Sequence, residues 1–170
     1  MDNVIFLDFD GPLFTERAIF YDKWTTPHPQ FRYNIPYWKM DAFSVEFLNH
    51  VYSTTPFYTV VSSSWRNLID DDERCKEFIE ELFYVNGLKL PLHNTDFRTS
   101  PTIGSRFAAI SDWIERHNPS DYLIIDDRES GPELDILADP SRLIMTNCET
   151  GFTNLNCVMT LNVTSKWGKK

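Results

Sequence analysis

Two aspartates one residue apart, Asp8 and Asp10, follow the apolar run Val4-Ile5-Phe6-Leu7 and precede Gly11. Carboxylates so close repel each other unless a cation or a shared proton relieves them, and a hard divalent ion with oxygen ligands, Mg2+ above all, suits the pair. The device recurs late in the chain, where Tyr122-Leu123-Ile124-Ile125 runs into Asp126 and Asp127. Between the two, Phe57-Tyr58-Thr59-Val60-Val61 ends in Ser62-Ser63-Ser64. Hydroxyls and backbone N–H groups at such a junction can meet an anion, or the serines can simply cap a helix. Arg106 falls in the first turn of a predicted helix, where a cation gains nothing from the helix dipole. It either holds an anion over a site or is a solvated surface arginine.

These groups must be positioned by elements that end where the chemistry begins. Short apolar runs without alternation read as strands buried on both faces, the parallel-sheet kind. Val4–Leu7, Phe57–Val61 and Tyr122–Ile125 fit, and Arg142–Thr146 makes a further strand. Strand periodicity sends the Asp8 and Asp10 side chains the same way. Helical patterns lie over Asp41–Val51, with Phe43, Phe47 and Leu48 apolar and Ser44 and Glu46 polar, and over Asp70–Tyr84, with Phe78, Leu82 and Phe83 on one side. Asn86-Gly87 ends the latter. Gly104-Ser105-Arg106 opens another helix, with Phe107, Ile110, Trp113 and Ile114 at helical spacing, and a short acidic helix is predicted near Pro132–Leu137. Lys89–Pro101 reads as loop or short strand, Gly151-Phe152-Thr153 as a turn into a C-terminal segment. The alternation predicts a three-layer, doubly wound α/β fold with a mostly parallel sheet. In such folds the chemistry gathers beyond the carboxyl ends of the strands, so Asp8, Asp10, the serines, Asp126 and Asp127 converge, with Arg106 approaching from a flanking helix.

Residues 12–40 show no clean period but hold Phe14, Phe20, Tyr21, Trp24, Phe31, Tyr33, Tyr37 and Trp38 among several prolines. A segment so aromatic reads either as a lid over Asp8 and Asp10, able to stack on a planar ring, or as a satellite cluster covering a sheet edge. The chain has 170 residues and a formal charge of −9, enough for one domain and adverse to a sequence-blind grip on long nucleic acid. Stable polynucleotide binding is therefore not expected, whereas a small anionic substrate can be held by a metal and a few basic side chains. Cys75, Cys148 and Cys157 show no metal or disulfide spacing, and His28, His50, His93 and His117 fit no ligand spacing. With no apolar leader and no stretch of membrane-spanning length, a cytoplasmic protein is the expectation.

In this order the motifs resemble the haloacid dehalogenase (HAD) superfamily of phosphotransferases, over most of the chain. Asp8-Phe9-Asp10-Gly11 resembles its D-x-D motif. The resemblance implies Asp8 as nucleophile, forming an aspartyl-phosphate. It implies Asp10 as general acid and base, with its backbone carbonyl on Mg2+. Ser62 or Ser63 would bind the transferring phosphoryl group: counting from the apolar run favours Ser62, the Ser63-Ser64-Trp65-Arg66 sequence favours Ser63. Arg106 stands for the basic third motif and, with the serine, would bind phosphate, while Asp126 and Asp127 complete a metal site formed with Asp8 and Asp10. Ser63-Ser64-Trp65-Arg66, the Arg106–Ile114 helix, Ile125-Asp126-Asp127 and Gly151-Phe152-Thr153 are similar to a narrower branch, the HAD-like domains of RNA-repair proteins and small phage-type nucleotide phosphatases. Two departures stand out: Pro12 replaces a more usual small or β-branched residue, and the third motif is arginine rather than lysine.

The resemblance implies a single HAD-like domain over residues 1–165, with a cap about 12–40 and a tail at 166–170. The expected activity is that of a Mg2+-dependent phosphomonoesterase on nucleotides, (deoxy)nucleoside 5'-monophosphates first. The alternative is a 3'- or 5'-end polynucleotide phosphatase, for which Arg17, Lys23, Arg32 and Lys39 are the local basic candidates. A receiver-like phospho-aspartate domain is a more distant one.

Overall fold

A computed structural model describes residues 2–18, 39–127 and 139–167. The aromatic stretch at 19–38, the acidic helix expected near 132–137 and the last three residues lie outside these.

The described residues form a four-stranded, all-parallel sheet with the order β2-β1-β3-β4. Its strands are β1 (Asn3–Leu7), β2 (Tyr58–Val61), β3 (Asp121–Asp126) and β4 (Leu143–Met145). The apolar runs are buried on both faces, as their lack of alternation predicts. Ile5 and Leu7 of β1 join one core cluster, and Val4 and Phe6 join the other. Helices α1 (Ala42–Thr54), α2 (Asp72–Val85) and α4 (Asn154–Thr164) pack toward the first cluster. Helix α3 (Arg106–His117) closes the second with Phe107, Ile110 and Trp113. Helices on both faces of a parallel sheet make the doubly wound α/β fold. The loop after α2 stays beside β2 through single bridges, Thr59 to Leu92 and Val61 to Arg98.

Three local expectations are corrected. In α1 the buried stripe is Ser44, Val45, Leu48 and Val51, while Phe43 is 47% exposed. Ser44 tolerates burial because its backbone N–H and its hydroxyl both donate to Oδ1 of the capping Asp41. The C-terminal segment is a full helix turned inside out. Thr160 and Thr164 face inward, their hydroxyls satisfied by carbonyls one turn back, while Leu155, Val158 and Met159 face solvent. Trp167, within the tail expected at 166–170, is buried in the first cluster with its ring edge-on to Phe57.

Candidate active site

The chain order reverses between β1 and β3, and at such a switch point the strand ends open a crevice for ligands. Asp8 directly follows β1 and Asp126 closes β3, both essentially buried. The strands stay zipped at this edge, with the Asp8 N–H donating to the Ile125 carbonyl at 2.9 Å and the Ser62 N–H to the Leu7 carbonyl at 3.1 Å. Arg106 enters from the first turn of α3, where Ser105 caps the helix. Its Nη1 lies 2.5 Å from Asp8 Oδ2 and 2.8 and 2.7 Å from the two oxygens of Asp126. Arg106 is thus buried against the carboxylates of the candidate site and is not a solvated surface arginine.

Burial dominates the electrostatics. It raises the Asp8 pKa to about 7 and the Asp126 charge adds to the rise, against the opposing pull of Arg106 and of a hydrogen bond from Ser63. Burial and Asp126 likewise raise Asp127. Burial alone would lower the Arg106 pKa, but the two carboxylates outweigh it and hold the guanidinium charged. Oxygens of Asp8, Asp126 and Asp127 all fall within 4.8 Å of one another. Three carboxylates against one guanidinium leave negative charge in excess in a desolvated place, and an all-oxygen donor set is what Mg2+ takes. The residues fit the ion.

The Asp10 carboxylate is not part of this trio, and the resemblance asks only its backbone carbonyl to meet the ion. Strand alternation stops at Leu7, and the chain turns at once: Leu13 and Phe14 N–H groups donate to the Phe9 carbonyl, and Gly11 N–H to that of Phe14. The turn aims the Asp10 side chain at Trp65, whose indole Nε1–H lies 3.2 and 3.1 Å from its two oxygens.

The serines separate. Ser62 is fully buried, and its hydroxyl has no hydrogen-bond partner among the described residues. Ser63 hydrogen-bonds Asp8 and caps the 3-10 turn Ser64–Asn67 by accepting the Trp65 N–H. The N-cap reading of the cluster is met by Ser63, whose hydroxyl also lies against the Asp8 carboxylate. Arg66 and Arg98 escaped notice in the sequence as supports. Arg66 Nη1 donates to the Ser62 and Ser63 carbonyls, and Arg98 Nη1 binds those of Arg66 and Ile69. An isolated arginine in a loop gives no periodic signal that could have announced this.

Gly11 is required where it stands. Its φ is +88°, and a Cβ there would meet Asp127 Cβ at 2.4 Å and Oδ2 at 2.8 Å. Gly11→Ala must therefore strain the backbone, by roughly 1 kcal/mol, and displace a carboxylate of the trio. Phosphatase assays alongside thermal melts are expected to show at least a tenfold loss of rate, by the order that a displacement of about 1 Å produces, with the fold retained. Unchanged rate and midpoint would show that the Asp127 position does not matter.

A parallel α/β sheet that carries Asp8, Arg106, Asp126 and Asp127 at its switch point is the arrangement expected of a HAD-type domain. A family described as the HAD domain in Swiss Army Knife RNA repair proteins matches residues 4–157, and the chain belongs to that family. Searches of curated proteins and of solved structures returned no match. Among the described residues no helix is long and apolar enough to cross a membrane.

Proposed function

We propose that the protein is a Mg2+-dependent phosphomonoesterase that works through an aspartyl-phosphate on Asp8 and acts on nucleotides. The observation that carries this is the Arg106 guanidinium bonded to both Asp8 and Asp126 at the switch point. Asp8, Asp126 and Asp127, with the Asp10 backbone carbonyl, would hold Mg2+, which when bound neutralises phosphoryl charge. An Asp8 oxygen attacks phosphorus, and the bond to the leaving oxygen breaks as Asp10 gives that oxygen a proton. Asp10 then takes a proton from water, whose oxygen attacks the same phosphorus. Phosphate leaves and the Asp8 carboxylate is restored. Ser63 and Arg106 donate to the phosphoryl oxygens throughout, and the covalent intermediate divides one hard step into two.

A nucleoside 5'-monophosphate suits the net charge of −9. The family's description, which names RNA repair, favours the second reading, a polynucleotide-end phosphatase. Of the basic residues available to a polynucleotide, Arg17 is already paired with Asp41 at 2.7 Å, and Lys39 is exposed. Lys23 and Arg32 lie outside the described residues. Phosphate release should be measured with Mg2+ on nucleoside monophosphates and on 3'- and 5'-phosphorylated oligonucleotides, with EDTA as control. Release from monophosphates that EDTA abolishes is the expected result. Release from oligonucleotide ends alone would select the repair reading. No release from either, with stable phosphorylation of Asp8 by acetyl phosphate, would replace hydrolysis with signalling.

A further inference from the structure

Trp65 is not among the residues that a D-x-D reading assigns, yet it is the hydrogen-bond donor to the Asp10 carboxylate among the described residues. An indole nitrogen can only donate, so its orientation dictates where an acceptor carboxylate settles. That orientation is itself constrained on several sides. Phe14 stacks on the indole at 4.9 Å with the planes 7° apart, and Phe78 lies nearly parallel at 6.4 Å. Phe9, the residue between the two aspartates, meets it edge-on at 5.9 Å. Two of these phenylalanines belong to the same loop as Asp10, so loop and indole lock each other. The backbone N–H of Trp65 bonds Ser63 Oγ, and Ser63 reaches Asp8. One 3-10 turn thereby ties both aspartates to a common support.

We propose that Trp65 is a positioning residue, its indole N–H holding the Asp10 carboxylate where it can reach the leaving oxygen and the attacking water. This rests on the phosphatase reading, in which Asp10 is the acid and base. A carboxylate released to swing retains its chemistry but loses its aim, and a misplacement near 1 Å is worth roughly 100-fold in rate.

The discriminating property is the leaving group. An alkyl phosphate such as glycerol 2-phosphate needs a proton delivered to its departing oxygen, whereas p-nitrophenolate departs without one. Trp65→Phe in the full chain keeps an aromatic ring beside Phe14 and removes the N–H. It is expected to lower kcat on the alkyl phosphate about 10- to 100-fold with little change in KM. On p-nitrophenyl phosphate the first-turnover burst of nitrophenolate should persist at the wild-type rate, followed by slow turnover because water activation also uses Asp10. A second variant carrying benzothienylalanine at position 65, a near isostere with sulfur in place of N–H, should behave the same way. It preserves the test if Trp65→Phe does not fold. Wild-type kcat on the alkyl phosphate in either folded variant overturns the proposal, as does an equal loss in the nitrophenolate burst, which would mark a general structural defect. A wild-type protein silent on both phosphates with Mg2+ would instead overturn the phosphatase reading, and this inference with it.

Discussion

Asp8→Asn is expected to lower turnover by roughly 10,000-fold or more, the scale on which removing a covalent nucleophile acts, and at the same time to make the metal-free protein harder to unfold at pH 8. The two effects have one origin. Asp8 is buried close to Asp126 and Asp127, and its pKa in the fold is about 7 against an ordinary value of 3.8. A folded-state value above the unfolded one means that the native protein holds that proton more tightly. Below pH 3.8 both states are protonated and burial carries no charge penalty. Between pH 3.8 and 7 the unfolded chain ionises first, so stability drains away as pH rises. Above pH 7 the loss is complete, on the order of 4 kcal/mol. Asparagine avoids that penalty while keeping an oxygen for the Phe9 N–H that now donates to Asp8 Oδ1, and Arg106 keeps both oxygens of Asp126. Urea unfolding in EDTA should therefore show the variant more stable at pH 8, with the gap closing toward pH 4. Equal midpoints at pH 8 would mean that Asp8 is not stored at a cost, and a catalytically competent variant would remove it as nucleophile.

The convergence of the candidate groups was largely legible in the sequence because they terminate buried strands. An apolar run that stops abruptly at Asp8, Ser62 or Asp126 announces both the strand and the edge where its chemistry lies. Arg106 was legible only in part: a cation in a helix turn whose dipole repels it is conspicuous, but the pattern leaves a surface arginine open. What stayed hidden depends on polar groups satisfied locally. Thr160 and Thr164 return their hydroxyls to the preceding turn, and Ser44 gives its hydroxyl to Asp41. All three sit in the core with no apolar signature, and Leu155, Val158 and Phe43 are displaced outward. Period-2 alternation carries no information on the partner of Asp10, because the strand ends at Leu7. The Trp65–Asp10 bond joins residues 55 positions apart, a spacing to which no local pattern is sensitive.

Arg106→Met is expected to destabilise the fold by about 3–5 kcal/mol at pH 8, the range for breaking a buried ion pair by removing one partner. It would leave Asp8 and Asp126, 1% and 0% exposed, without the cation that now serves both. Methionine preserves much of the buried stem, so the loss reports the charge rather than a cavity. Because arginine lowers the Asp8 pKa, its removal raises that value further. The deficit should then shrink as the pH falls and protons replace the missing cation, and Mg2+ should restore part of the stability through the same carboxylates. Arg106→Lys is expected to behave differently. Arginine and lysine are not exchangeable where a guanidinium binds as a two-pronged fork, but here a single nitrogen, Nη1, makes all three contacts. An ammonium can occupy one point and donate to several acceptors, so the lysine variant should stay near wild type in stability and within about tenfold in rate. Urea unfolding of both variants at pH 8 and pH 5, paired with phosphate-release rates, separates the possibilities. A methionine variant as stable as wild type would show that the carboxylates do not need the arginine. A lysine variant as damaged as the methionine one would show that the guanidinium contributes more than a point charge.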